Sequence, residues 1–379
     1  MRNWVFDKDK VKSIEPVKIL SPGRFPLQLL LLVPLLSACG VPPGTLITDC
    51  VDKGNLHPVC GLQSPEDIAI VPGGDYLLLS ELGNMGEFPG RIVLFDVRDE
   101  SWQPIFPVTG AVAPALVQGD TSCTEPPGPE MSPHGSHLVQ LADGSWRYLV
   151  VNHGGREAVE LFSLQLPAQG KPQLRWQGCV FPADNTLIND VVGLSNGDVV
   201  YTRMYHPQDV MGLWRGMLGF ETGDVWRWSH DTGARLLPGT RGGLTNGIEI
   251  SPDERFVFIN QYMDKEVHKY DLAREQRVAV GQVANADNSA WGPNGELWLA
   301  SQASELPVFL ACSKDPTATC GMAFDIVALN PETMQSRIIF QHQGPPMGAA
   351  TVATPNRDKV YVGSFLGDRL LVVPIGEFQ

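Results

Sequence analysis

One phrase recurs six times along this chain, and it limits the fold more than any other feature. It is a short apolar strand, a turn of Pro, Asn, Asp or Gly, and then an aromatic or β-branched strand. The copies read PEDIAIVPGGDYLLLSE (65–81), PHGSHLVQLADGSWRYLVVNH (133–153), INDVVGLSNGDVVYTRMY (188–205), TNGIEISPDERFVFINQY (245–262), ADNSAWGPNGELWLASQ (286–302) and GAATVATPNRDKVYVGSF (348–365). Gly73-Gly74, Asp143-Gly144, Asn196-Gly197, Asp253, Asn294-Gly295 and Asn356 fall where a hairpin demands positive φ or a tight bend. Anchored on Glu66, His134, Asn189, Asn246, Asn288 and Ala349, the copies are 68, 55, 57, 42 and 61 residues apart. A four-stranded blade needs roughly 40–50 residues, and loop insertions account for the excess. RIVLFDV (91–97), AVELFSL (158–164), GDVWRWS (223–229) and EVHKYDL (266–272) supply outer strands, and helical periodicity is almost absent. The pattern predicts an all-β, six-bladed β-propeller forming one domain over 50–379. A pair of β-sandwiches is the alternative, but it would not require similar phrases at six positions.

With 43% hydrophobic and 18% charged residues the chain is globular, and a net charge of −14 argues against a phosphate-backbone partner. No nucleic-acid partner is expected. Residues 25–38, FPLQLLLLVPLLSA, form an apolar run behind Arg24 that is too short to span a bilayer and suits a signal-peptide core. It ends in Leu36-Ser37-Ala38-Cys39-Gly40, which resembles the bacterial lipobox, whose cysteine receives diacylglycerol. The expectation is a signal peptide over 1–38, lipidation at Cys39 and a linker over 39–49. Gly40 rather than Asp after the cysteine implies an outer-membrane anchor facing the periplasm. Removing 1–38 leaves 22 basic and 39 acidic residues, a net charge of −17. Six further cysteines in an oxidising compartment point to disulfides; they allow 15 pairings. Short separations make Cys50–Cys60 and Cys312–Cys320 the natural pairs, leaving Cys123–Cys179.

In a propeller the innermost strand of each blade lines a central channel, so the first residues of the six phrases converge from distant sequence. They are Glu66-Asp67, His134, Asn189-Asp190, Asn246 and Asp287-Asn288, with Gly348-Ala349-Ala350 in the last copy. Glu66, Asn189, Asn246, Asp287 and Asn288 offer two carboxylates and three amide oxygens, a hard set that selects calcium over zinc. Neighbouring strand residues face opposite ways, so Asp67 and Asp190 should not share one coordination shell with Glu66 and Asn189 and could hold a second ion at another depth in the channel. Any one Asn or Asp here also reads as turn chemistry; the matched positions make the set.

At these residues the chain resembles the serum paraoxonase/arylesterase family of calcium-dependent six-bladed lactonases, over about 60–365. PEDIAIVPGG, SPHGSHL, YLVVNHGGREAVELFSL, LINDVV, TNGIEISPDERFVFI and ADNSAW follow the family's phrases in order. It is more distantly similar to gluconolactonase-like propellers. The resemblance implies that Glu66, Asn189, Asn246, Asp287 and Asn288 hold a catalytic Ca2+. It further implies that Asp67, Asp190 and the Ser136 carbonyl hold a structural one, and that His134 and His153 form a catalytic pair. His137 has no counterpart and reads as a strand-face residue. Two departures stand out. The family's Asp-His pair after the third inner strand is replaced around Arg203-Met204-Tyr205, and the C-terminus has no cysteine to close the ring.

The expected function is calcium-dependent hydrolysis of apolar lactones or aryl esters, with His134 as base. YHPQDVMGLWRGMLGFET (205–222) reads either as an apolar wall beside the channel mouth or as a packed outer loop. The rival readings are a sugar lactonase and a non-catalytic calcium-binding propeller serving as an outer-membrane binding module.

Overall fold

The chain is described by a computed structural model over residues 46–83, 88–107, 117–206, 209, 211–304, 306–312, 314–315 and 318–379. The expected signal segment and Cys39 lie outside these residues. Each recurring phrase forms the inner hairpin of a blade of four antiparallel strands, to which the second blade adds a short fifth strand, Gln118–Gly119, running parallel to its outermost one. The inner strands are Pro65–Ile70, Pro133–Gln140, Leu187–Gly193, Thr245–Ile250, Ala286–Trp291 and Ala350–Asn356, in blades 1 to 6. Each contacts the next, and the sixth returns to the first, so the expected six-bladed ring is closed. Among the described residues the α-helices are the short Gly212–Met217 and Leu306–Cys312.

The core is divided among the six junctions between blades, each filled by one apolar layer. Leu78 and Leu94 of blade 1 meet Tyr148 and Phe162 of blade 2, and Leu77 and Phe95 on the other face of blade 1 meet Tyr361 and Leu370 of blade 6. Alternation along each strand produces this division, because successive side chains enter opposite junctions. A buried side chain of this size contributes about 1.5–3 kcal/mol, and a ring has no end blade whose apolar face would lie open.

The sixth blade joins the first and last strands of the propeller sequence. Ala350–Asn356, Lys359–Ser364 and Arg369–Pro374 form three strands, and His57–Cys60 adds the outermost one, Cys60 pairing with Arg369. Strand pairing closes the ring. Arg369 strengthens the seam: its buried guanidinium donates to the Asp49 carbonyl (2.6 Å) and the Pro346 carbonyl (3.1 Å). Leu46–Ile47 pairs with Thr319–Cys320, so the end of the expected 39–49 linker already packs on the propeller. All three expected disulfides form: Cys50–Cys60, Cys123–Cys179 and Cys312–Cys320.

Every inner strand breaks its register near its start. In blades 2 to 6 two residues face one on the partner: His134-Gly135, Asn189-Asp190, Asn246-Gly247, Asp287-Asn288 and Thr351-Val352. In blade 1 Glu66 is the extra residue. A bulge suspends strict alternation and re-aims the side chains at that point. The positions that carry the sequence signal are therefore the bulges themselves, at one end of the channel.

The Cys123–Cys179 bridge closes a separation of 56 residues, against 10 for Cys50–Cys60. In the chain-entropy treatment these loops are worth about 4 and about 3 kcal/mol. Paired Cys→Ser variants compared by equilibrium urea unfolding should lose more stability at Cys123/Cys179; the reverse order would contradict this account.

Candidate active site

Glu66, Asn288, Asp287 and Asn246 form a continuous run across three bulges. Glu66 is buried, and its Oε1 accepts from Asn288 Nδ2 at 2.7 Å. Asp287 is hydrogen-bonded by the Asn246 side chain and accepts on Oδ2 from Gln302 Nε2 at 2.7 Å. Gln302 is held in turn by the Tyr262 hydroxyl at 2.8 Å. Asn189 is buried at the same bulge position in blade 3. Gly247 allows the strands to approach, since a Cβ there would lie 2.3 Å from the Asp287 carbonyl oxygen.

Three oxygens of this run, Glu66 Oε2, Asn246 Oδ1 and Asn288 Oδ1, are buried with no hydrogen-bond partner among the described residues. Such an atom ordinarily costs about 1–3 kcal/mol. Burial pushes Glu66 well above the usual carboxylate range, and the charges of Asp67, Asp287 and Asp190 push it further. Asp287 is raised to about 7 by burial, against the opposing hydrogen bonds from Asn246 and Gln302. Among the described residues no three His, Cys, Asp or Glu side chains gather as a metal cage; the run mixes two carboxylates with amides. An oxygen-only set with unsatisfied acceptors fits a hard divalent cation.

Asp67 and Asp190 form a separate group. Asp67 Oδ2 accepts from the Ser136 N–H (2.6 Å) and hydroxyl (2.9 Å). Asp190 accepts from the Val191 N–H (2.7 Å) and, across blades, from the Ile248 N–H (2.8 Å). Both carboxyls are raised, chiefly by burial, and the charge of Asp67 adds to the effect on Asp190. They line a cavity of about 190 Å³ together with Ser136, His137, Glu249 and Trp291. His137, read from sequence as a strand-face residue, turns into this cavity; its Nδ1 accepts from the Gly193 N–H at 3.2 Å and its Nε2 lies 3.9 Å from Glu249. Glu249, which the sequence did not single out, is pushed up to about 8 by burial.

His134 is buried at the blade 2 bulge, its Nε2 3.6 Å from Glu66 Oε1. Its Nδ1 lies 3.0 Å from His153 Nε2, so the two histidines that the resemblance paired do meet. Burial, reinforced by His153, holds His134 well below the ordinary histidine range. Behind them lies Glu157, 2.9 Å from His153 Nδ1. Glu157 falls inside the phrase YLVVNHGGREAVELFSL, but no repeat position singles it out. Arg203, from the segment that departs from the family, is spent on a buried two-point pair with Asp224.

The described residues of the 205–222 segment include a short helix, Gly212–Met217. Gly212 and Gly216 let its helix rest on Tyr205 and Leu244, while Leu213, Trp214, Leu218 and Phe220 are exposed. Tyr205 pairs with Leu187 beside Asn189, which sets this apolar surface at the bulged end of the channel.

The chain is 23% identical to human serum paraoxonase/arylesterase 1 over 330 residues, covering 83% of this chain and 87% of that one. It is also 23% identical to chicken serum paraoxonase/arylesterase 2, covering 83% and 88%. The solved structure of a luciferin-regenerating enzyme shares the fold, with a TM-score of 0.50 at 13% identity over 84% of this chain and 94% of that one. The family model for arylesterases matches residues 52–371, and the chain therefore belongs to the arylesterase family of hydrolases.

Proposed function

We propose that the protein hydrolyses lactones and aryl esters of apolar character at a calcium centre in the bulged end of the channel. The observation that carries this reading is the set of three unpartnered buried oxygens, Glu66 Oε2, Asn246 Oδ1 and Asn288 Oδ1, beside a buried histidine. Glu66, Asn189, Asn246, Asp287 and Asn288 would hold the catalytic ion; Asp67, Asp190 and the Ser136 carbonyl would hold a second, structural one. When bound, Ca2+ supplies Lewis-acid polarisation of an ester carbonyl.

The chain's own residues handle the proton. His134 is kept neutral by burial, so it takes a proton from the water that attacks the carbonyl carbon and later returns it to the leaving alkoxide. His153, bonded behind it, holds the ring in place. Trp214, Leu218 and Phe220 give the mouth an apolar rim that favours acyl-chain or aryl substrates over sugars.

We also propose that Cys39 carries a diacylglyceryl anchor in the bacterial outer membrane, facing the periplasm. Seven residue steps join Cys39 to Leu46, a reach of at most about 25 Å.

Outcomes of three kinds are expected, in activity, in stability and in localisation. A panel of aliphatic lactones, phenyl acetate and gluconolactone, assayed with and without chelator, should show calcium-dependent turnover of the first two classes. His134→Gln should lower kcat by about 10²–10⁴ with little change in KM, and the acid limb of wild-type kcat/KM should lie below pH 6.5 because His134 is shifted down. Turnover that survives complete chelation would sink the reading, and cleavage of no ester would favour the binding module.

The second outcome concerns stability. Glu66, Asp67, Asp190 and Asp287 all have folded-state pKa values above their unfolded ones. Their contribution is therefore fully present below the unfolded values, near 4, and is lost as pH rises through the folded values. In chelator the melting temperature should fall between pH 5 and 8, and saturating Ca2+ should remove that fall; identical slopes with and without Ca2+ would contradict the site. Third, wild-type protein expressed in bacteria should incorporate labelled palmitate and fractionate with outer membranes, and Cys39→Ser should abolish both. An unlabelled wild type would refute the anchor.

A further inference from the structure

We infer that Glu157 is a positioning residue that fixes which nitrogen of each histidine carries its proton, so that the base is Nε2 of His134. The inference rests on the reading of His134 as the base. Glu157 lies in the loop between the second and third strands of blade 2, and its two oxygens have different partners. Oε1 accepts from the backbone N–H of Ile188 at 2.7 Å, and Oε2 lies 2.9 Å from His153 Nδ1.

A backbone N–H only donates, and a carboxylate only accepts, so both contacts are fixed in sense. His153 Nδ1 must carry a proton. In the neutral ring His153 Nε2 is then an acceptor, and the 3.0 Å contact requires His134 to carry its proton on Nδ1. His134 Nε2 is left with its lone pair, 3.6 Å from Glu66 and beyond hydrogen-bonding distance. Without the carboxylate the opposite pattern satisfies the same His–His contact. His153 would donate from Nε2, and His134 would present an N–H where a base is needed. One side chain decides between the two.

The geometry leaves the loop little room to relax. Asn152 Oδ1 accepts from the Ser132 and Gly154 N–H groups at 2.9 and 3.0 Å. A Cβ on Gly154 would fall 1.6 Å from the Glu130 carbonyl oxygen, so the main chain there is packed against its neighbour. Ile188 immediately precedes Asn189, and Glu157 thereby ties the histidine loop of blade 2 to the start of the blade 3 inner strand. In turnover the water O–H bond breaks, its proton goes to His134 Nε2, its oxygen bonds to the carbonyl carbon, and the ester C–O bond then breaks to release the alkoxide. The proton then leaves with the alkoxide, and Glu157 neither gains nor loses one.

Glu157→Gln tests this directly. The Ile188 N–H still requires an acceptor, so the new side chain would offer its amide oxygen there and turn its NH2 towards His153 Nδ1. Nitrogen-15 NMR of histidine-labelled protein should show His153 protonated at Nδ1 in the wild type and at Nε2 in the variant. Where an ester is cleaved, kcat should fall about tenfold to a hundredfold, with KM and Ca2+ affinity within about twofold. His153→Gln/Glu157→Gln should be no slower than His153→Gln alone, because Glu157 acts through His153. Unchanged tautomers, an unchanged kcat or additive losses would each overturn the inference. Reversed tautomers in a protein that cleaves no ester would sink the hydrolytic reading while upholding the role of Glu157.

Discussion

Four carboxylates, Glu66, Asp67, Asp190 and Asp287, are buried around the axis of this ring, with Glu249 nearly so, and among the described residues none of them has an arginine or lysine as an ion-pair partner. The rest of the molecule treats buried acids differently. Glu81 is paired with Arg91, Glu160 with Arg156, Asp224 with Arg203 and Asp271 with Arg255. Desolvating a carboxylate without a counter-charge is expensive, and the ordinary remedies are a cationic side chain, a proton or a metal ion. The channel omits the first remedy, which leaves its ionisation open to the other two. The apolar layers between blades make this tolerable, because they hold the ring together independently of the axis.

The bulges are what turn a regular scaffold into a site. Strict alternation would send Asp287 and Asn288 to opposite faces, yet one bonds with Asn246 and the other with Glu66. The break in register between Ala286 and Ser289 lets both contribute to the same run. Asn260, facing that bulge from the next blade, donates to the Asp287 carbonyl and to Ser289 Oγ, satisfying backbone that the broken ladder leaves without a partner.

Much of this was legible in the sequence because it is periodic. The six phrases gave the blades, and their opening residues gave the channel donors. Cysteine spacing gave two disulfides and, by remainder, the third. What escaped was aperiodic. Glu249 lies past the bulge on an inner strand, where a single acid reads as solvent-facing until the ring turns it inward. Glu157 belongs to an irregular loop, and its meaning depends on Ile188, 31 residues away. The exposure of Trp214 and Leu218 depends on two glycines docking a six-residue helix, which composition alone left undecided.

The closure of blade 6 by His57–Cys60 has a consequence for how the molecule is made. The first strand of the propeller to emerge is the partner of the last, Arg369–Pro374, so its edge stays unpaired until that strand has been made. The ring can form neither its sixth junction nor a complete channel before that moment. Completion of the axial ring thus waits on the synthesis of Arg369–Pro374, and a chain without that strand would have lost the seam.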